Sequence, residues 1–131
     1  MPEPILIPQP QQATWLDQPR LALPRQVVIR PDASSIERHA AERLRLTIEQ
    51  AAGASVAAAT QPSFHLVIDS QLSHAEGYRI YDDGCVIYLV GADELGVSHA
   101  VETARQLIRT GGWPRCVIDD WPDYAHRGIY V

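Results

Sequence analysis

Cysteine is scarce in this chain. The only two, Cys85 and Cys116, form neither a CxxC pair nor a zinc-ligand spacing. A disulfide between them is left open. Both fall in apolar runs of strand character, which predicts small buried hydrophobes. Lys/Arg-rich runs are absent and the formal net charge is −5, so nucleic acid is not expected as a partner. An acidic balance predicts a soluble domain that repels polyanions. No apolar run approaches the roughly 20 residues of a membrane-spanning helix, so no membrane partner is expected. The N-terminus, Met1-Pro2-Glu3-Pro4, shows no basic segment followed by an apolar one. No signal peptide is therefore visible, and the chain reads equally as cytoplasmic or as exported with its leader removed. There is no P-loop, G-x-G-x-x-G or G-x-S-x-G. The histidines, His39, His65, His74, His99 and His126, form no HExxH or i,i+4 pair. Neither a metal nor a cofactor is expected.

What is present is enough apolar material for one core. Of 131 residues, 46% are hydrophobic and 21% charged, which suits one globular domain and excludes wholesale disorder. Ile5-Leu6-Ile7 reads as a short strand closed by Pro8 and Pro10, and Val27-Val28-Ile29 as a second. Ser34 and Glu37 match a capping box. Ile36, Ala40, Leu44, Thr47, Ile48 and Ala51 then repeat at helical spacing. Glu37, Arg38, Glu42, Arg43, Arg45 and Glu49 are expected on the solvated face, with Gly53 ending the helix. Residues 54–62 read as a loop.

Phe64, Leu66 and Ile68 mark a strand apolar on both faces, hence an interior one. Tyr78–Tyr81, the turn Asp82-Asp83-Gly84 and Cys85–Val90 read as a hairpin. Gly91 and Asp93 open a second helix with the stripe Val97, Ala100, Val101, Ala104, Leu107 and Ile108, stopped by Gly111-Gly112. Cys116-Val117-Ile118 is a last strand, broken by Asp119-Asp120-Trp121-Pro122. The order β-β-α-β-β-β-α-β, with one apolar stripe per helix, predicts an α+β fold: a mostly antiparallel sheet with two helices packed on one face. The other face is left partly exposed and open to self-association.

Candidate chemistry is thin. Ser98 and His99 are adjacent on a helix and do not face each other. Asp119, Asp120 and Asp123 could contribute to a glycosidase-like carboxylate pair, but turn duty explains them more simply. Gly77 reads as a backbone-shape residue. Trp15, Trp113 and Trp121 read as edge packing, with sugar stacking as the alternative. Arg127 precedes Gly128 and the apolar Ile129-Tyr130-Val131. It reads either as a local ion pair with Asp119, Asp120 or Asp123, or as a clamp for hydroxyls or carboxylates. The chain ends just as that strand begins, so the expectation is a piece of a larger protein.

Four stretches together resemble glycoside hydrolase family 20, the β-N-acetylhexosaminidases. They are Leu6-Ile7-Pro8-Gln9-Pro10, Glu76-Gly77-Tyr78-Arg79-Ile80, Gly91–Val97 with Thr103–Ile108, and Ile118–Gly128. The resemblance implies that residues 1–122 are the family's non-catalytic α/β domain, partnered by its own downstream (β/α)8 barrel. Residues 123–131 would then be the lead-in and first strand of that barrel. It implies that Arg127 contacts sugar hydroxyls of N-acetylhexosamine-containing glycans. The catalytic Asp-Glu pair would lie downstream, so no catalytic residue is assigned and this chain alone is expected to be inactive. The substrate of the whole protein would be terminal β-linked N-acetylhexosamine. Related domains occur in O-GlcNAc hydrolases and α-glucuronidases, which remain alternatives beside a stand-alone carbohydrate- or protein-interaction module. Residues 123–131, lacking barrel neighbours, are expected to be mobile or to pair with a sheet edge.

Overall fold

The structure, a computed structural model, describes residues 6, 10–24, 26–52, 63–72, 74–109 and 112–121. Its elements are strands β1 (Gln12–Trp15) and β2 (Gln26–Val28), helix α1 (Ser35–Ala52), strands β3 (Ser63–Ile68), β4 (Tyr78–Asp82) and β5 (Val86–Gly91), helix α2 (Glu94–Ile108) and strand β6 (Cys116–Asp120). The strands form one six-stranded sheet in the order β1-β6-β4-β5-β3-β2. The pairings β1–β6, β6–β4 and β4–β5 are antiparallel, and β2–β3 and β3–β5 are parallel. The sheet is thus mostly antiparallel. Each helix is a crossover between parallel strands, β2 to β3 and β5 to β6. The helices therefore run parallel, side by side on one face, joined by an ion pair from Arg43 to Glu102 at 2.5 Å.

Alternation decides which residues meet the helices. Val27 lies opposite Phe64, and Phe64 opposite Ile87. Leu66, Leu89, Ile80, Ile118 and Ala13 form a second row across five strands. All six residues expected on the apolar stripe of α2 are buried, as are Ala40, Leu44, Thr47 and Ile48 of α1. Phe64 meets Trp113 edge-on at 5.3 Å beneath them.

The first strand lies at Gln12–Trp15, where no strand was expected. Its two glutamine-and-threonine outward positions mask the pattern, and it is held by pairing with β6. Of the expected strand Ile5-Leu6-Ile7, Ile5 and Ile7 lie outside the described residues; Leu6 is buried in the core. Gly53, the loop 54–62, Gly111 and residues 122–131 also lie outside them.

Strand β6 does not break at Asp119. It runs through Asp120, because Asp119 pairs with Gln12 on one side and Arg79 on the other. Two ladders override the low strand preference of aspartate. Cys85 is not a buried hydrophobe. Asp83 Oδ1 accepts from the backbone N–H of both Cys85 (2.8 Å) and Val86 (2.7 Å), which extends the turn and leaves Cys85 exposed. Cys116 is buried, and both thiols are free.

Helix α1 departs from the expected charge pattern at its start. Ser34 Oγ accepts from the Glu37 N–H at 3.2 Å, completing half of a capping box. The other half is not made. The Glu37 carboxylate instead takes Arg30 Nε (3.0 Å) and Nη2 (2.5 Å). Glu37 is only 3% exposed, so it belongs to the buried face, while Ile36 turns outward. Arg45 also turns back, donating to the Val27 carbonyl at 3.2 Å. Arg38, Glu42 and Glu49 do lie on the exposed side.

Candidate functional site

Parts of three of the stretches singled out in the sequence, Glu76–Tyr78, Gly91–Gly96 and Asp119–Asp120, come together at one end of the sheet. There β3 and β5 finish, β4 starts and β6 finishes, with Tyr78 opposite Gly91 and Asp120. Asp93 organises this end. Its Oδ1 caps α2 by accepting from Gly96 N–H at 2.8 Å, and its Oδ2 accepts from Glu76 N–H at 2.9 Å. Glu76 holds a left-handed backbone, φ 57°, which turns its N–H onto that carboxylate. Ala92 N–H donates to the Gly77 carbonyl at 2.9 Å. A side chain at Gly96 would bring its Cβ to 2.3 Å from that same carbonyl oxygen. Glycine is thus required where the helix start and the β3–β4 loop touch.

Deeper in, Tyr78 Oη and Thr103 Oγ1 share a hydrogen bond of 2.6 Å. Burial pushes the Tyr78 phenol far above its ordinary range, against a smaller opposing effect of the Thr103 bond. On the outer side, Gln11 N–H donates to Asp120 Oδ1 at 3.0 Å. His74 stacks on Trp121 with ring centroids 4.3 Å apart. Arg79 Nε and Nη2 grip Asp119 at 2.7 and 3.4 Å. His74, Tyr78, Arg79, Asp119, Asp120 and Trp121 are among the residues that line a cavity of about 230 Å³.

The arrangement has positional rather than chemical character. Tyr78 is held protonated, and burial followed by the Asp82 charge pushes the Cys116 thiol up to about 12. Neither is a base or nucleophile near neutral pH. His99 Nδ1 faces the Glu76 carbonyl at 3.4 Å, not Ser98. Asp119 and Asp120 are strand residues occupied by Arg79 and Gln11, not turn residues. Trp113 is fully buried, which excludes it from sugar stacking; Trp15 packs against the core. Among the described residues no three His, Cys, Asp or Glu gather as metal ligands, and no helix is long and apolar enough to cross a membrane. Arg127, Asp123 and His126 lie outside the described residues. Sequence reasoning placed Asp93 at the start of α2 but missed its second bond, to the Glu76 N–H of the loop, and missed Arg79 as the partner of Asp119. Neither remote contact had a local signal.

The distinctive residues of this junction serve the architecture of an α+β domain. Residues 3–121 match glycosyl hydrolase family 20, domain 2, and the chain belongs to that family. Solved structures are similar over most of its length. One is the β-N-acetylhexosaminidase of Bacteroides fragilis NCTC 9343, 24% identical over 88% of this chain, with a TM-score of 0.61. Another is a glycoside hydrolase family 20 β-N-acetylglucosaminidase, 26% identical over 86%, TM-score 0.62. A third is the chitobiase of Flavobacterium johnsoniae, 19% identical over 88%, TM-score 0.66. The match covers only 24%, 21% and 20% of those chains respectively. This chain corresponds to their non-catalytic domain.

Proposed function

We propose that this chain serves as the accessory domain of a glycosidase that removes terminal β-linked N-acetylhexosamine, and that it braces a (β/α)8 barrel following it in the same protein. The match to family 20, domain 2 over residues 3–121 carries this reading. In this proposal residues 1–122 form the accessory domain, 123–131 lead into barrel strand one, and Arg127 reaches the sugar. The outer side of the helix layer offers the bracing surface. Leu46 and Leu95, 55% and 45% exposed, stand there on α1 and α2, on the side of each helix away from its buried stripe.

The test is expression of the full reading frame beside this chain alone, assayed on a chromogenic N-acetyl-β-glucosaminide. Turnover by the full protein only, reduced by Arg127→Ala, is the expected result. Turnover by the 131-residue chain by itself, or a reading frame that stops at Val131, would sink the proposal.

A further inference from the structure

The sheet's open face, opposite the helix layer, holds a second concavity that adjoins the first and shares Leu72 and Arg79 with it. We infer that it is a binding site for one neutral pyranose unit of a glycan, centred on Tyr81 and Arg79. Its volume is about 390 Å³, and its lining includes Asp69, Leu72, Arg79, Tyr81, Val90 and Val117. That volume falls within the roughly 300–1,000 Å³ typical of small-molecule sites.

The floor is apolar and pre-arranged. Tyr81 stacks on Tyr88, centroids 4.9 Å apart and planes 26° from parallel. Tyr88 is in turn backed edge-on by His65 at 6.0 Å. One side of the Tyr81 ring is therefore taken by β5. Its other side turns toward β6, where Val117 lies in the adjoining strand. Val90 and Leu72 complete the aliphatic wall. A rigid aromatic face loses little entropy on binding.

The rim is polar, with one guanidinium and the carboxylates of Asp69, Asp82 and, beside Arg79, Asp119. Arg79, half exposed, directs two N–H groups at Asp119, and a guanidinium carries five. Asp69 holds one carboxylate oxygen on the Gln71 N–H at 2.9 Å. An anion would meet these carboxylates, and a compact cation would meet an apolar floor. A pyranose suits both surfaces: its C–H face packs on an aromatic ring while its hydroxyls reach donors and acceptors at the edge. The site lies on the face opposite the helix layer, so it stands or falls independently of the bracing role.

The test is an amide NMR titration of the 15N-labelled chain with two neutral trisaccharides, one of β-1,4-linked N-acetylglucosamine and one of β-1,4-linked glucose, to about 20 mM, a range that captures millimolar dissociation constants. Saturable shifts at Arg79, Tyr81, Val90 and Val117 with at least one sugar are expected. Tyr81→Ala should weaken binding at least tenfold (about 1.4 kcal/mol). Arg79→Leu provides a second variant should the first fail to fold. Three results would overturn the inference. One is the absence of saturable shifts with either sugar. Another is full-strength binding in both variants. The third is shifts at these residues on protein dilution alone, which would assign the face to a second copy of the chain.

Discussion

Gly96→Ala sets two effects of opposite sign against each other. Gly96 lies in the first turn of α2, and by helix propensity alone alanine would stabilise that turn by about 1 kcal/mol. The tertiary contact opposes it. The new Cβ would lie 2.3 Å from the Gly77 carbonyl oxygen and 3.1 Å from Gly91 Cα. Both neighbours are backbone, so neither yields as a long side chain would. Overpacking of this kind costs about 1–3 kcal/mol or more. Relief requires the β3–β4 loop to move off the helix. That strains the bonds from Ala92 N–H to Gly77 and from Glu76 N–H to Asp93, each contributing about 1 kcal/mol.

The expected net loss is about 2–4 kcal/mol. With an unfolding entropy of about 2.1 cal/mol/K per residue over 131 residues, that lowers the melting temperature by roughly 7–14 °C. Thermal and urea unfolding followed by circular dichroism measure it. Ser98→Ala, half-buried on the same helix, is the control and should stay within about 0.5 kcal/mol. A melting temperature for Gly96→Ala equal to or above the parent's would refute the reasoning, because propensity would then have outweighed the contact.

Other consequences are equally direct. Tyr78→Phe leaves Thr103 Oγ1 without its 2.6 Å partner, a loss of about 1–3 kcal/mol; a double-mutant cycle with Thr103→Val should show coupling, and additive losses would contradict a shared bond. Since burial raises the folded-state pKa of Tyr78, its contribution is complete below the unfolded tyrosine value of about 10 and is lost as pH rises above it. Alkaline unfolding should therefore begin earlier in the parent than in Tyr78→Phe, relative to each protein's neutral-pH stability. A thiol reagent should modify one cysteine of the native protein, Cys85, and both in denaturant; two fast native thiols would show that Cys116 is not enclosed. Glu37→Ala should lower the melting temperature more than Glu49→Ala, because only the former releases a bidentate partner, Arg30, and equal effects would count against the buried pair.

Much of the architecture was legible because it rests on neighbours in sequence. The stripe of α2, its start at Gly91–Asp93 and the Asp82-Asp83-Gly84 turn are local patterns, and the structure reproduces them. The misread residues are those whose partners are remote. Glu37 looked like a surface charge by position on α1. It is buried because Arg30, on the chain leading in from β2, reaches across to it. Asp119 looked like a turn residue until β6 acquired ladders on both sides and Arg79, forty residues away, closed on its carboxylate. Cys85 opens an apolar run, yet the Asp83 carboxylate holds it in the turn.

The sequence by itself determined most of the elements, the fold class and the family, through periodicities and turn residues that act over a few positions; strand β1 is the exception, set by its pairing with β6. Only the tertiary structure decided what the family-like stretches do. Strand pairing brings Gln11, Glu76–Tyr78, Gly91–Gly96 and Asp120 to one end of the sheet, where backbone contact demands glycine and buried polar groups demand partners. Those requirements are made by residues far apart along the chain, and no local pattern announces them.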